Sequence, residues 1–152
     1  IDDIDAATIL TTDQIKEKLK NTDLKIIDTG IKHGTVTVLS DTKKIELTTL
    51  RKDVKTDGRH AEIEYTDDWQ LDSERRDFTI NAMYLDKSGN LIDPTDGKKD
   101  LENRVVRFIG RPDERIKEDY LRILRYFRFL ALFGDISPDA EVMKTIKANL
   151  DK

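Results

Sequence analysis

Cysteine is absent from the 152 residues. That excludes a disulfide framework and a thiolate metal site, and it suits a reducing compartment, with the cytoplasm the expected location. Long apolar runs are also lacking. No stretch approaches the ~20 residues a helix needs to span a bilayer, so no membrane contact is expected. No secretory-signal pattern opens the chain. Internal repeats and low-complexity segments are missing too. So is a positive net charge: the formal value is −4, which weakly disfavours nucleic-acid binding by the chain taken as a uniform object.

What is present points the other way locally. Apolar residues make up 37% and charged residues 38%, as expected of a folded, well-charged protein of one or two small domains. Basic charge is concentrated late, at Arg104, Arg107, Arg111, Arg115, Lys117, Arg122, Arg125 and Arg128. Acidic charge is dense from Asp2 to Asp5 and from Asp67 to Glu74. The chain opens on Ile1 with Asp3-Ile4-Asp5 close behind, which reads as a piece of a longer protein.

Local patterns predict a mixed α+β module followed by helices. Residues 11–22 read as a helix capped by Thr11 or Thr12, with Ile15 and Leu19 at i, i+4. Leu24–Asp28, Thr35–Leu39 and Lys44–Thr49 read as strands, the last two joined by a hairpin at Ser40-Asp41-Thr42-Lys43. Residues 51–61, polar and containing Asp57-Gly58, read as a loop before a short strand at Glu62–Tyr65. Asp72 or Ser73 opens a helix to about Met83. Tyr84–Asp86 and Leu91–Asp93 flank a turn at Lys87-Ser88-Gly89-Asn90, and Val105–Ile109 reads as a strand. Pro112 and Asp113 open a long helix to about Phe133, and Ser137-Pro138 starts a last one. The change of pattern places a domain boundary near Gly110.

Asp3 and Asp5 flank one residue, so in a strand they share a face. Two carboxylates so placed repel unless a cation sits between them. Magnesium, which prefers oxygen ligands, is the fitting ion. Asp-x-Asp is common, and a solvated acidic end is the plainer reading of these residues alone. Glu46, between Ile45 and Leu47 in a predicted strand, is either a third carboxylate of the same surface or a cross-strand partner for a lysine.

Further segments bear on this choice. They are Arg75-Arg76-Asp77-Phe78-Thr79-Ile80-Asn81-Ala82-Met83, Asp93-Pro94-Thr95-Asp96-Gly97-Lys98-Lys99-Asp100-Leu101, and Glu118-Asp119-Tyr120-Leu121-Arg122-Ile123-Leu124-Arg125. With Asp3-Ile4-Asp5-Ala6-Ala7-Thr8 and His33-Gly34-Thr35, their order and spacing resemble the class II tRNA nucleotidyltransferase and bacterial poly(A) polymerase family. That family belongs to the polymerase-β-like nucleotidyltransferases. The resemblance covers nearly the whole chain, and five motifs in register are specific.

The resemblance implies a polymerase-β-like α+β head over residues 1–109 and the start of a helical neck over 110–152. It implies addition of C, C and A to tRNA 3′ ends from CTP and ATP, with Mg²⁺ held by Asp3 and Asp5 and Glu46 assisting. It implies that Arg75, Arg76 and Asp77, in the first turn of a helix, contact the ribose and phosphates of the incoming nucleotide, with Asn81 adding a sugar contact. Poly(A) polymerase and C-only or A-only activities stay open. The 51–61 segment looks full length, whereas C-only enzymes tend to have it shortened. The family's opening strand, Gly-Gly-rich turn and Val-Arg-Asp helix precede the Asp-x-Asp and are not in this sequence. Nor is the long helical body that holds tRNA. Activity is therefore expected of a longer protein, and a non-catalytic RNA- or nucleotide-binding module is the alternative from another class.

Asp119 and Arg122, at i, i+3 of the predicted long helix, can read a base. Cytosine and adenine each present an amine donor beside a ring-nitrogen acceptor. A carboxylate accepts from the amine and a guanidinium donates to the ring nitrogen. Guanine and uracil present the reverse pattern and leave groups unsatisfied. An intrahelical salt bridge is the plainer alternative. Arg125 follows one turn on as a further nucleotide-binding candidate, whereas Leu121, Leu124 and Phe127 read as core.

Overall fold

A computed structural model describes residues 4–30, 33–57, 60–133 and 138–150, the side chains of 55–62 excepted. Its contacts divide the chain into two units. One comprises Ile1–Lys52 and Ile63–Trp69, the other Asp53–Glu62 and Gln70–Lys152.

The first unit is built on a four-stranded sheet. Its strands are β1 (Ile4–Thr8), β2 (Lys25–Gly30), β3 (Thr35–Leu39) and β4 (Lys44–Thr49), in the order β1-β4-β3-β2. β1 runs parallel to β4, and the other neighbours are antiparallel. The sheet is therefore mixed. Helix α1 (Thr12–Leu19) starts at Thr11, whose side chain accepts from the Gln14 N–H while Gln14 reaches back to the Thr11 N–H. This capping box satisfies two of the free donors at the helix start. Ile15 then packs with Val36, Val38, Leu47 and Ile26 from one sheet face. The strands alternate, so the other face is left to Asp5, Glu46 and Thr37, which are register partners in a row. Gly34 turns the chain into β3 with φ +73°, and a Cβ there would lie 2.9 Å from the Tyr65 ring.

Within the expected 51–61 loop, the described residues are strand instead: β5 (Arg51–Asp57) and β6 (His60–Tyr65) form a two-stranded sheet. Lys52 and Glu64 pair across it at 3.1 Å.

The second unit departs from expectation at several points. The helix expected from Asp72 to Met83 is a short α2 (Trp69–Glu74) followed by a single 3₁₀ turn, Thr79–Asn81. Arg75, Arg76 and Asp77 lie between these, not in a helical first turn. β7 (Tyr84–Leu85) and β8 (Leu91–Ile92) form the expected hairpin. Its turn is organised by Asp86, whose carboxylate accepts from Ser88 N, Asn90 N and Asn90 Nδ2. A helix that local patterns did not predict, α3 (Gly97–Glu102), starts where Asp93 accepts from the N–H groups of Gly97 and Lys98. Residues 105–109 form no strand of their own. They make one bridge, Phe78 to Phe108, flanked by the hydrogen bonds Thr79 N to Arg107 O and Ile109 N to Asp77 O.

The expected long helix is broken in two, α4 (Pro112–Glu118) and α5 (Leu121–Phe133). Asp119 takes an extended conformation at the junction, φ −156° and ψ 107°. α6 (Ala140–Lys147) closes the chain, capped by Asp139. The core gathers Phe78, Val106, Phe108, Ile116, Ile123, Tyr126, Val142 and Ile146. Phe78 sits 4.8 Å from Phe108 and 5.1 Å from Phe129, ring centre to ring centre, separations that favour tilted aromatic packing. Leu121, Leu124 and Phe127 are not part of it. They are 45%, 68% and 39% exposed, because Ile123, Tyr126 and Leu130 supply the inward stripe of α5. Among the described residues no helix is long and apolar enough to cross a membrane.

Among the described glycines, Gly97 stands closest to other backbone. A Cβ there would lie 2.2 Å from the Thr79 carbonyl oxygen and 2.8 Å from its carbon. Main chain cannot swing aside as a side chain can. Gly97→Ala is expected to cost about 3 kcal/mol or more, read as a lower denaturant midpoint. An unchanged midpoint would show that α3 does not need this contact.

Candidate active site

Asp5 stands exposed on the edge strand β1, and its register partner on β4 is Glu46. The Asp5 carboxylate has no hydrogen bond or ion pair among the described residues. Glu46 Oε1 holds the Lys44 ammonium at 2.8 Å. Its lysine is thus on its own strand, two residues away, and not the cross-strand partner that one of the two readings of Glu46 supposed. Asp3 lies outside the described residues. The donors that are described are hard oxygens adjacent on one polar face, which fits a divalent cation. Among the described residues, no group of three or more acidic or histidine side chains is arranged to hold a metal.

The second unit carries the arginine motif. Asp72 is buried, 1% exposed. Its Oδ1 accepts from Arg75 Nε and Nη2 at 3.0 and 2.8 Å, and its Oδ2 from Arg76 Nε and Nη2 at 3.3 and 3.2 Å. The Tyr84 hydroxyl donates to the same Oδ2 at 2.7 Å. Burial first, then that bond to an anion, pushes the Tyr84 hydroxyl up to about 12.

Asp77 is also buried. One oxygen accepts from the Phe78 N–H at 2.9 Å and from Asn81 Nδ2 at 3.1 Å, and the other from Arg125 Nε. Burial alone would raise its pKa. The hydrogen bonds from Arg125 and Asn81 outweigh it and hold the carboxyl below its usual value. Arg125 also lies over the Phe129 ring, 5.5 Å from its centre. Three expected site residues, Asp77, Asn81 and Arg125, thus form one network.

Asp119 and Arg122 do not pair with each other. Asp119 Oδ1 accepts from the Leu121 N–H at 3.0 Å, and its carbonyl accepts from the Arg122 N–H at 3.0 Å. Arg122 Nη1 donates to Glu118 Oε2 at 2.5 Å and to the Arg115 carbonyl at 2.8 Å. The intrahelical Asp119–Arg122 bridge, the plainer alternative to base reading, does not form; Arg122 pairs with Glu118 instead. Asp119 Oδ2 and the Nε and Nη2 of Arg122 keep no partner among the described residues. Arg115 joins the two motifs of this unit. It donates to the carbonyls of Arg75 and Arg76 at 2.6 and 2.8 Å and pairs with Glu118 at 2.6 Å. Burial and the like charge of Arg122 lower its guanidinium from the ordinary value, and Glu118 opposes that shift. Sequence reasoning left Asp72, Tyr84 and Arg115 without a site role. The available signal was an acid three and four residues before two arginines.

Residues 1–107 match the family described as the Poly A polymerase head domain. The chain belongs to that family. It is 50% identical over 150 residues to the human protein named CCA tRNA nucleotidyltransferase 1, mitochondrial, an alignment covering 97% of this chain and 35% of that protein. It also superposes on the Bacillus stearothermophilus CCA-adding enzyme in complex with CTP. There the TM-score is 0.77 at 32% identity, over 94% of this chain and 33% of the other. A tRNA nucleotidyltransferase complexed with a primer tRNA and an incoming ATP analogue matches with a TM-score of 0.73 at 27% identity, over 99% of this chain and 42% of that one. The fold is thus the polymerase-β-like head expected from the motifs. The chain spans about a third of the length of the curated relatives it matches.

Proposed function

We propose that the full-length protein transfers CMP and AMP from CTP and ATP to the 3′ end of tRNA, completing CCA and releasing pyrophosphate. The observation that carries this reading is the 50% identity, across 97% of the chain, to a protein named as a CCA tRNA nucleotidyltransferase. In the reaction the terminal 3′-hydroxyl loses its proton and its oxygen bonds to the α-phosphorus. The bond from that phosphorus to the bridging oxygen breaks, and pyrophosphate leaves. We assign residues 1–109 to the transfer domain and 110–152 to the start of a helical neck.

Asp3 and Asp5 would hold Mg²⁺, with Glu46 beside them. A bound divalent ion neutralises triphosphate charge and lowers the pKa of the attacking hydroxyl. Arg75 and Arg76 bind the incoming nucleotide's phosphates and ribose, and Asp77 sets Asn81 and Arg125 for the same nucleotide. Asp119 offers an acceptor, and Arg122 a donor, to the Watson–Crick edge of cytosine or adenine. The cysteine-free sequence is compatible with a reducing compartment such as the cytoplasm, while the name of the human relative places that protein in mitochondria.

The family's description favours one competing reading, addition of A alone. Full-length protein, tRNA lacking its CCA end, divalent metal and each of the four labelled nucleotides separate them. Ends sequenced as CCA are expected. Oligo(A) tails would install the poly(A) reading, and metal-independent binding without incorporation would leave a non-catalytic RNA- or nucleotide-binding module.

A further inference from the structure

Two adjacent arginines on a surface repel each other and sample many rotamers, and ordering such side chains on binding costs conformational entropy. Arg75 and Arg76 are already ordered. Each oxygen of Asp72 takes the Nε/Nη2 edge of one guanidinium. Arg76 is held on a second side by Tyr84, whose ring centre lies 5.0 Å from Cζ and whose hydroxyl oxygen accepts from Nε at 3.1 Å. Arg115 fixes the backbone beneath both by donating to their carbonyls. What is left over is chemically specific. Nη1 of Arg75 has no partner among the described residues, and Nη1 of Arg76 has only a long 3.4 Å contact to the Asn81 carbonyl. One carboxylate against two guanidiniums leaves a net positive charge at the pair.

We propose that Asp72, locked by Tyr84, is the positioning residue that preorders Arg75 and Arg76 as a two-pronged donor for a phosphate oxyanion of the incoming nucleoside triphosphate. This rests on the reading that those arginines contact the nucleotide. A phosphate of the RNA backbone has the same chemistry, so the test separates the two sources. Asp72 itself is buried and touches no ligand. Its effect is on where the guanidiniums stand.

The test uses the full-length protein and steady-state kinetics with CTP, ATP and tRNA. Asp72→Asn keeps the shape and removes the charge that holds two cations together. The KM for CTP and ATP is expected to rise about tenfold, the scale of one lost charge-assisted contact, with kcat changed less and the KM for tRNA unchanged. Tyr84→Phe removes one hydroxyl, folds if Asp72→Asn does not, and is expected to raise the nucleotide KM by a smaller factor. Parent-like nucleotide KM in Tyr84→Phe and in any folded Asp72→Asn, with only the melting temperature lowered, would overturn the proposal. So would a raised KM for tRNA with that for nucleotide unmoved. Arg75→Ala and Arg76→Ala are the control for the premise. If they keep the parent's nucleotide KM, the reading that these arginines bind nucleotide fails instead.

Discussion

Asp5→Ala in the full-length protein is expected to abolish nucleotide incorporation while leaving tRNA binding and folding near the parent's. The asymmetry follows from where Asp5 sits. It is exposed on an edge strand, and no described residue pairs with it. Removing it leaves no buried group unsatisfied, and exposed positions of this kind change stability by roughly 0.5 kcal/mol or less. Its neighbour in register is Glu46, already neutralised in part by Lys44 at 2.8 Å. Glu46 therefore does not replace the lost carboxylate. Loss of a metal-holding carboxylate forfeits several kcal/mol of transition-state stabilisation, about 10³-fold or more in rate. Asp5→Asn is expected to behave alike, because an amide oxygen carries no charge. Incorporation by either variant within about tenfold of the parent at saturating divalent metal would remove Asp5 from the catalytic group. A Glu46→Gln variant grades the third position. A modest rate loss is expected if Glu46 assists, and none if it serves only Lys44.

How far such residues can be found without coordinates depends on the range of the forces that place them. Thr11 with Gln14, the Ser40–Lys43 turn and the Asp86–Asn90 turn are each decided within five residues, and each is legible in sequence. The pairing of β5 with β6 is harder to read, because charge on both strands gives them a loop-like composition. The break at Asp119 is not legible. Ile116, Ile123 and Tyr126 continue a helical stripe through it without a proline or glycine. It arises because Asp119 takes the Leu121 and Arg122 N–H groups for itself, while Arg122 folds back onto the Arg115 carbonyl at the exposed end of α4. The helix expected over 72–83 fails for a similar reason. Asp77 is drawn into the core network by Arg125, 48 residues away in sequence.

The candidate site divides along the same line. Asp5 and Glu46 face the same way because strand alternation is a local rule. The carboxylate partners of Arg75, Arg76 and Arg122 are also local, three or four residues back at Asp72 and Glu118, whereas the bond from Arg125 to Asp77 spans 48 residues. The spacing that places Asp119 and Arg122 on one helical face does not survive, yet a backbone hydrogen bond joins the two residues at a two-helix corner, and each keeps side-chain hydrogen-bonding groups without a partner among the described residues.

That corner sharpens what base selection should do when it is altered. Arg122 is held by Glu118 and the Arg115 carbonyl, not by Asp119. Its guanidinium is therefore oriented independently of the acceptor it would work beside. Arg122→Ala removes the donor for the ring nitrogen of cytosine or adenine but leaves Asp119 anchored to the Leu121 N–H. Discrimination against UTP and GTP is expected to relax, with kcat/KM for CTP and ATP falling by about 1–3 kcal/mol of transition-state stabilisation, the scale of one lost base-edge contact. Asp119→Ala removes the acceptor for the exocyclic amine and should relax selection in the same sense. It also frees the Leu121 N–H while the Asp119 carbonyl keeps the Arg122 N–H, so a loss of stability of about 1 kcal/mol should accompany it, as for a removed cap. Glu118→Gln separates orientation from reading. It keeps a hydrogen-bond acceptor for Arg122 but lowers the charge that fixes it, so a small drop in rate with preserved preference is expected. If Arg122 and Glu118 form only a structural ion pair, all three substitutions lower the melting temperature and none moves nucleotide preference. Competition among all four nucleotides, measured by sequencing the added ends, distinguishes these outcomes. Preference for CTP and ATP that survives both Arg122→Ala and Asp119→Ala would make the α4–α5 corner a packing device with no part in choosing the base.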